Sequence, residues 1–102
     1  MNKILSERIE EIKKLCQRYK VKSLYAFGSV GTDTFNNKSD IDLLIDFDTD
    51  LSINDYSENY FALHYKLRDI LKREIDLVTQ RSLSNPYFIQ SIEQTKQLLY
   101  ES

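Results

Sequence analysis

The sequence contains very little of several residue types on which common protein architectures depend. Among its 102 residues are one cysteine, Cys16, one histidine, His64, one proline, two glycines and no tryptophan. A single cysteine excludes an intrachain disulfide, and a single histidine has no partner at the spacing of a zinc site. The glycine-rich P-loop and GxGxxG patterns are both missing. Disulfide scaffolds, zinc modules and these two nucleotide-binding motifs are therefore excluded.

Long apolar runs and one-sided charge are also missing. The longest apolar runs are a few residues, whereas about 20 are needed to span a bilayer. The charged, amphipathic N-terminus has no apolar core of the signal-peptide kind. The net charge is −2, with 14 basic and 16 acidic residues and no basic tract that would favour nucleic acid. We expect a reduced, soluble, cytoplasmic protein that binds neither membrane nor nucleic acid directly.

The overall composition is that of a small folded domain. Hydrophobic residues make up 41% of the chain and aromatic residues 12%, which favours a globular protein over a disordered one. A length of 102 residues suits one domain, so we expect residues 1–102 to form a single unit.

Three short segments have the composition of β-strands. They cover residues 22–27, 41–47 and 74–78. The second is almost continuously apolar, which is typical of a strand in the middle of a sheet. The predicted fold class is α+β (mixed α/β), with a small mixed sheet flanked by helices.

Helices are predicted before, between and after these strands. Apolar residues spaced by three and four predict a helix over residues 3–19. Ser52 fits the N-cap of a second helix that runs to about Lys72. Pro86, preceded by Asn85, fits the first turn of a final helix, on whose apolar side Leu99 is expected.

Paired carboxylates at the start of the middle strand are the first sign of a functional site. Asp40 and Asp42 are two residues apart, so in an extended chain they project from the same side. Two unpaired carboxylates about 4 Å apart repel by roughly 4 kcal/mol at an effective dielectric of about 20. Such a pair needs a cation, a shared proton or a solvated surface. Asp76 occupies the third strand and would join the pair if the two strands are neighbours.

A Gly-Ser pair upstream indicates that the cation would bind together with a phosphate. Gly28 and Ser29 precede Asp40 by ten intervening residues. Glycine allows the backbone to approach a phosphate closely, and the amides that follow can bind an anion. Carboxylate oxygens suit Mg²⁺, which binds through few carboxylates plus substrate phosphates, and two such ions would orient an in-line displacement.

Simpler interpretations of the same residues remain open. Asp40 and Asp42 also fit a solvated strand end, and Asp76 fits a surface position or a helix cap. Ser29 also fits an ordinary turn. A calcium loop beginning at Asp48 is excluded because its sixth position is Ile53 rather than glycine.

The combined pattern resembles a known family. Gly28-Ser29, ten residues and Asp40-x-Asp42, followed by SDIDLLIDF, EIDLVTQRSL and NPYFIQSIEQTKQLLY, are similar to the minimal nucleotidyltransferases of the polymerase-beta-like superfamily. The resemblance implies the nucleotidyltransferase fold. It implies that Gly28 and Ser29 hold the triphosphate, and that Asp40, Asp42 and Asp76 bind Mg²⁺ and catalyse, Asp76 being the candidate base.

The resemblance also implies a biological role. Many members of that family are antitoxins that transfer AMP from ATP to a tyrosine of a partner HEPN ribonuclease toxin. The leading hypothesis is therefore an Mg²⁺-dependent nucleotidyltransferase that neutralises a HEPN partner in this way. A gain in the mass of the partner equal to AMP would test it.

Two other hypotheses remain open, and a departure from the family pattern motivates the first of them. Family members often have an Arg-Gly pair in a segment like GSxARG, whereas this chain reads GSVGTDTF, so a basic residue is missing unless Lys38 or Lys22 replaces it. That absence motivates a non-catalytic module that masks the toxin by binding it. A third hypothesis is a nucleotidyltransferase for small molecules, which the short chain disfavours.

Overall fold

The computed structural model describes residues 3–28 and 40–102, which form four α-helices and four β-strands. In chain order these are α1 (Lys3–Glu7), α2 (Ile9–Arg18), β1 (Val21–Phe27), β2 (Ile41–Phe47), α3 (Ile53–Leu71), β3 (Ile75–Thr79), α4 (Pro86–Thr95) and β4 (Gln97–Glu101). A 3₁₀ turn, Gln80–Ser82, follows β3. Within the described residues, no helix is long and apolar enough to cross a membrane.

The strands form one mixed sheet in the order β3-β2-β1-β4. Strand β1 pairs antiparallel with both β2 and β4, whereas β2 and β3 are parallel. Parallel neighbours need a long crossover connection, and the 19-residue helix α3 supplies it. The crossover brings the first residues of β2 and β3 to the same end of the sheet, which confirms the predicted mixed sheet with helices.

The two faces of the sheet carry different layers. Helices α1, α2 and α3 contribute to the main core on one face, together with Ile41, Leu43, Ile45 and Phe47, the odd-numbered residues of β2. The opposite face, called the α4 face here, carries a smaller cluster in which Ile92 of α4 packs with Phe27 and Leu44. Since β2 side chains alternate between the faces, Asp42 projects on the α4 face beside this cluster.

Most predicted boundaries agree with the structure to within a residue or two. Strand β2 covers the predicted 41–47, and β1 and β3 each differ from their predicted bounds by one residue at one or both ends. The predicted N-terminal helix is divided, because α1 ends at Glu7 and a turn at Arg8 precedes α2. The predicted apolar stripe is still buried at Leu5, Ile12 and Cys16.

The prediction for the end of the chain was wrong. Leu99 was assigned to the final helix, but α4 ends at Thr95 and residues 97–101 form the edge strand β4. Leu99 follows Ile92 by seven residues, a spacing typical of a helix, yet Lys96 is extended with φ −66° and ψ 141°. Pairing with β1 explains the outcome, since β4 hydrogen-bonds to a strand that would otherwise be an exposed edge.

Both predicted helix starts are confirmed by cap geometry. The Ser52 hydroxyl accepts a hydrogen bond from the Asp55 amide at 3.1 Å, which caps α3. The Asn85 side chain accepts from the amides of Tyr87 and Phe88 at 2.9 and 3.3 Å, with Pro86 in the first turn of α4. These caps fix where each helix begins and therefore which face each one presents to the sheet.

The α3 cap gives a stability test. Replacing Ser52 by alanine should lower the free energy of unfolding by about 1 kcal/mol, because the Asp55 amide loses its acceptor. Ser57→Ala, in the exposed second turn of the same helix, is the matched control and should change stability by less than about 0.5 kcal/mol. Urea unfolding followed by circular dichroism measures both, and equal effects of the two substitutions would contradict the capping role.

Candidate functional site

Asp42 and Asp76 lie side by side on adjacent strands. They are register partners in the parallel β2–β3 pair, and each is the second residue of its strand. Partners in neighbouring strands project on the same face, and the strands are about 4.8 Å apart. The convergence predicted for these two carboxylates therefore occurs on the α4 face.

The electrostatics of this pair are unfavourable when both groups are ionised. The pKa of Asp42 is raised above its ordinary value by burial first, then by the charges of Asp76 and Asp40. Asp42 is half-buried, whereas Asp40 and Asp76 are exposed. The negative charges of the other two predicted aspartates thus act at Asp42, which is the most buried of the three.

The side chains alone do not complete a metal centre. Over residues 3–28 and 40–102, no group of three or more acidic, histidine or cysteine side chains is gathered so that it could hold a metal ion. The donors present are carboxylate oxygens, which match the preference of Mg²⁺ for few protein ligands supplemented by substrate phosphates. Asp42 and Asp76, with Asp40 beside them, are the residues that could hold such an ion once a phosphate supplies further oxygens.

Gly28 packs against the Asp42 carboxylate. It follows β1 directly, and Phe27, the last residue of β1, is the register partner of Asp42. Gly28 adopts the left-handed conformation with φ +73°, and a Cβ atom there would lie 2.6 Å from Oδ2 of Asp42. Both observations require glycine at this position. Ser29, the other predicted phosphate-binding residue, lies outside the described residues.

Helix α3 holds the strand segment that carries Asp76. The Tyr60 hydroxyl donates to the Leu77 carbonyl at 2.6 Å, and His64 Nε2 lies 2.8 Å from the Ile75 carbonyl. Because a carbonyl only accepts, the imidazole carries its proton on Nε2 in this contact. These two bonds flank Asp76 on the outer edge of β3, so they fix the backbone from which its carboxylate projects.

Sequence reasoning missed this role of Tyr60 and His64. In the sequence, Tyr60 fits the apolar side of the helix predicted after Ser52, and the lone His64 has no partner for a metal site. Their spacing of four residues places both side chains on one helix face, which was the only available signal. Burial first, and then the charge of nearby Asp76, raise the pKa of Tyr60 above its ordinary value.

Two other acidic or basic residues do not join the site. Asp46 is on the same face of β2 as Asp42 but four residues further along, or about 13 Å away. Lys22, considered as a replacement for the missing basic residue, lies near the start of β1, at the end of the sheet opposite Asp42. Lys38, the other basic residue considered, lies outside the described residues. The suggestion that Lys22 replaces the family's arginine was therefore wrong.

Comparison with known proteins assigns the family. The family model described as "Nucleotidyltransferase domain" matches residues 9–99, which include nearly every described element. The chain belongs to the nucleotidyltransferase domain family. It is accordingly a nucleotidyltransferase, as predicted from the Gly-Ser and aspartate pattern.

The names of similar proteins specify a reaction or a complex. This nucleotidyltransferase is 41% identical over 97 residues to the Methanocaldococcus jannaschii protein called "Putative protein adenylyltransferase MJ0126", with 90% of this chain and 94% of that protein covered. A crystal structure of a toxin–antitoxin with AMP-PNP matches with a TM-score of 0.70 and 27% identity, covering 92% of this chain and 73% of the other.

A further solved structure has the same fold. It contains a tri-AMPylated Shewanella oneidensis HEPN toxin in complex with an MNT antitoxin, and it matches with a TM-score of 0.64 and 24% identity. The match covers 95% of this chain and 72% of that one. At this identity the likeness is one of fold, and it confirms the minimal nucleotidyltransferase architecture predicted above.

The raised pKa of Asp42 gives a prediction on stability. An acid whose pKa is higher in the folded than in the unfolded chain binds its proton more tightly when folded, so stability falls as pH rises through that interval. Asp42→Asn removes this penalty. The metal-free variant should unfold at a higher temperature than the wild type at pH 7, and the difference should shrink as the pH is lowered toward about 4.

Asp46→Asn is the matched control for this experiment. Asp46 lies on the same strand and face but does not adjoin Asp76. Thermal unfolding in the presence of a chelator, recorded from pH 4 to pH 7, compares the two variants with the wild type. A lower unfolding temperature for Asp42→Asn at pH 7 would contradict a repulsive acidic site.

Proposed function

We propose that this nucleotidyltransferase transfers AMP from ATP to a tyrosine hydroxyl of a partner HEPN toxin in an Mg²⁺-dependent reaction, and so neutralises the toxin. The observation that carries the proposal is the juxtaposition of Asp42 and Asp76 on adjacent parallel strands, with Gly28 against Asp42. Two carboxylates so close together repel each other, but they can jointly bind a cation that also binds phosphate oxygens.

The comparisons support this choice of reaction and partner. The name of the M. jannaschii relative describes transfer of an adenylyl group to protein, and the chain is similar to it over nearly its full length. The fold is shared with an antitoxin bound to a HEPN toxin that carries AMP. We infer ATP as the nucleotide donor and a HEPN protein as the partner.

In this proposal each predicted residue has a defined role. Gly28 and Ser29 hold the triphosphate, while Asp40, Asp42 and Asp76 are the Mg²⁺ ligands. When bound, Mg²⁺ neutralises charge on the phosphates and orients the attacking and leaving oxygens. The protein contributes mainly positioning and electrostatic stabilisation, as in phosphoryl transfer generally.

The chemical step is a displacement at the α-phosphorus of ATP. The tyrosine oxygen forms a bond to that phosphorus, while the bond to the oxygen bridging the α- and β-phosphates breaks. Pyrophosphate leaves with the bonding electron pair. Asp76, the exposed member of the pair, accepts the phenol proton and can pass it to water.

The surface of the protein fits a macromolecular acceptor. Among residues 3–28 and 40–102, three aromatic side chains are more than half exposed, namely Phe61 at 67% and Tyr65 at 69% on α3, and Tyr87 at 83% on α4. Exposed aromatic residues are enriched at protein–protein interfaces. These side chains therefore offer surface on which a protein partner can bind.

A second candidate function is masking of the toxin without catalysis. The uncharged residues that follow Ser29, where family members often carry arginine, favour it. The same exposed aromatic side chains would serve a purely stoichiometric complex. The two functions differ in whether the aspartates are needed for protection.

Substitution of Asp42 separates the two functions. With labelled ATP, Mg²⁺ and the HEPN partner, the wild type should add a mass equal to AMP to that partner. Asp42→Ala should reduce the rate by at least about 100-fold, because it removes a metal ligand from the reacting centre. Asp46→Ala, on the same face of β2, should retain activity. Intact-protein mass spectrometry measures the product.

Protection of cells tests the masking alternative. Asp40→Ala combined with Asp42→Ala should abolish protection at normal expression if catalysis neutralises the toxin. Retained protection and co-purification of the double variant would establish masking instead. Labelling of small hydroxylated acceptors, with none on the partner, would favour the third hypothesis, a small-molecule nucleotidyltransferase.

A further inference from the structure

The hydroxyl of Thr95 connects the last residue of α4 to the end of β1. Its Oγ1 accepts a hydrogen bond from the Gly28 amide at 3.1 Å and donates one to the Ser91 carbonyl at 3.1 Å. Donation to the carbonyl four residues earlier is common for threonine in helices. Acceptance from Gly28, 67 residues away in sequence, is the unusual contact.

This bond holds the residue that packs against Asp42. Gly28 has φ +73° and leaves no room for a Cβ atom next to the Asp42 carboxylate. A glycine without restraint populates positive and negative φ about equally readily, so its conformation has to be fixed by contacts. With its amide bonded to Thr95, Gly28 is held in the left-handed conformation against Asp42.

Other contacts attach α4 to the sheet without this hydroxyl. Phe88 packs edge-on against Phe27 with ring centroids 5.9 Å apart, and Ile92 is buried against Phe27 and Leu44. The Lys96 ammonium lies 4.6 Å from the centre of the Tyr25 ring. The position of α4 therefore depends on apolar and cation–π contacts. The Thr95 hydroxyl is not needed to hold α4 on the sheet, and its bond to Gly28 acts on the end of β1.

We propose that Thr95 is a positioning residue for nucleotide binding, which it serves by fixing Gly28 against Asp42. This inference rests on the proposed function, because it assumes that the triphosphate binds beside Gly28 and Asp42. Since Thr95 occupies the Gly28 amide, Gly28 serves the triphosphate through its position and not as a hydrogen-bond donor. Thr95 itself touches neither phosphate nor acceptor, so its effect is on the affinity for MgATP.

Isosteric substitution tests the hydroxyl. Thr95→Val keeps the volume and removes the acceptor, and it should raise KM for MgATP about 5- to 10-fold, the equivalent of one lost hydrogen bond, with kcat changed less than about 2-fold. Thr95→Ser keeps the acceptor and should restore KM to within about 2-fold of the wild type. Ser6→Ala, which removes a helix hydroxyl bonded to Lys3 far from the site, is the control and should change neither constant.

Two further measurements separate this inference from the proposed function. Hydrogen exchange of the Gly28 amide, followed by NMR, should be slow in the wild type and in Thr95→Ser and faster in Thr95→Val. Calorimetry with MgATP should give a Kd that changes in parallel with KM. If no variant transfers AMP but the exchange and Kd follow this order, the proposed function fails while the role of Thr95 stands.

Other results would overturn the role of Thr95. An unchanged KM and Kd in Thr95→Val would show that the hydroxyl does not position Gly28 for nucleotide binding. Equal losses in Thr95→Val and Thr95→Ser would assign the effect to the methyl group and its packing. A fall in kcat with unchanged KM would place Thr95 in the chemical step rather than in binding.

Discussion

Repulsion between the carboxylates of Asp42 and Asp76 is the constraint on which the rest of the structure depends. The parallel pairing of β2 and β3 makes the two residues register partners, and burial makes Asp42 harder to ionise. In the absence of a cation, this arrangement costs stability. The fold therefore has an unfavourable electrostatic contact at the position where a metal-bound phosphate would reverse the sign of the interaction.

The surrounding elements hold this contact from three directions. From α3, Tyr60 and His64 bond the carbonyls on either side of Asp76. From β1, Gly28 packs against the Asp42 carboxylate, and Thr95 at the end of α4 bonds the Gly28 amide. Each of these bonds acts on backbone next to the acidic pair, so the carboxylates themselves stay available to a ligand.

The sequence was informative where a signal is local. Strand β2 is an almost continuous apolar run, and Ser52 and Asn85 are cap residues beside helical patterns. Whether Asp76 would join Asp42 depended on β2 and β3 being neighbours, which the sequence left open and the parallel pairing established. The strand β4 and the bond from Thr95 to Gly28 were not predictable in this way, because both depend on segments about 70 residues apart. Helical spacing of apolar residues favoured a longer α4, and pairing with β1 overrode it.

The most direct measurement is a crystal structure of the protein with Mg²⁺ and an ATP analogue that resists cleavage between the α- and β-phosphates. We expect an ion that contacts the carboxylates of both Asp42 and Asp76 and at least one phosphate oxygen, with the triphosphate next to Gly28. A nucleotide bound elsewhere on the protein, or carboxylates of Asp42 and Asp76 that share no ion with the phosphates, would contradict this expectation.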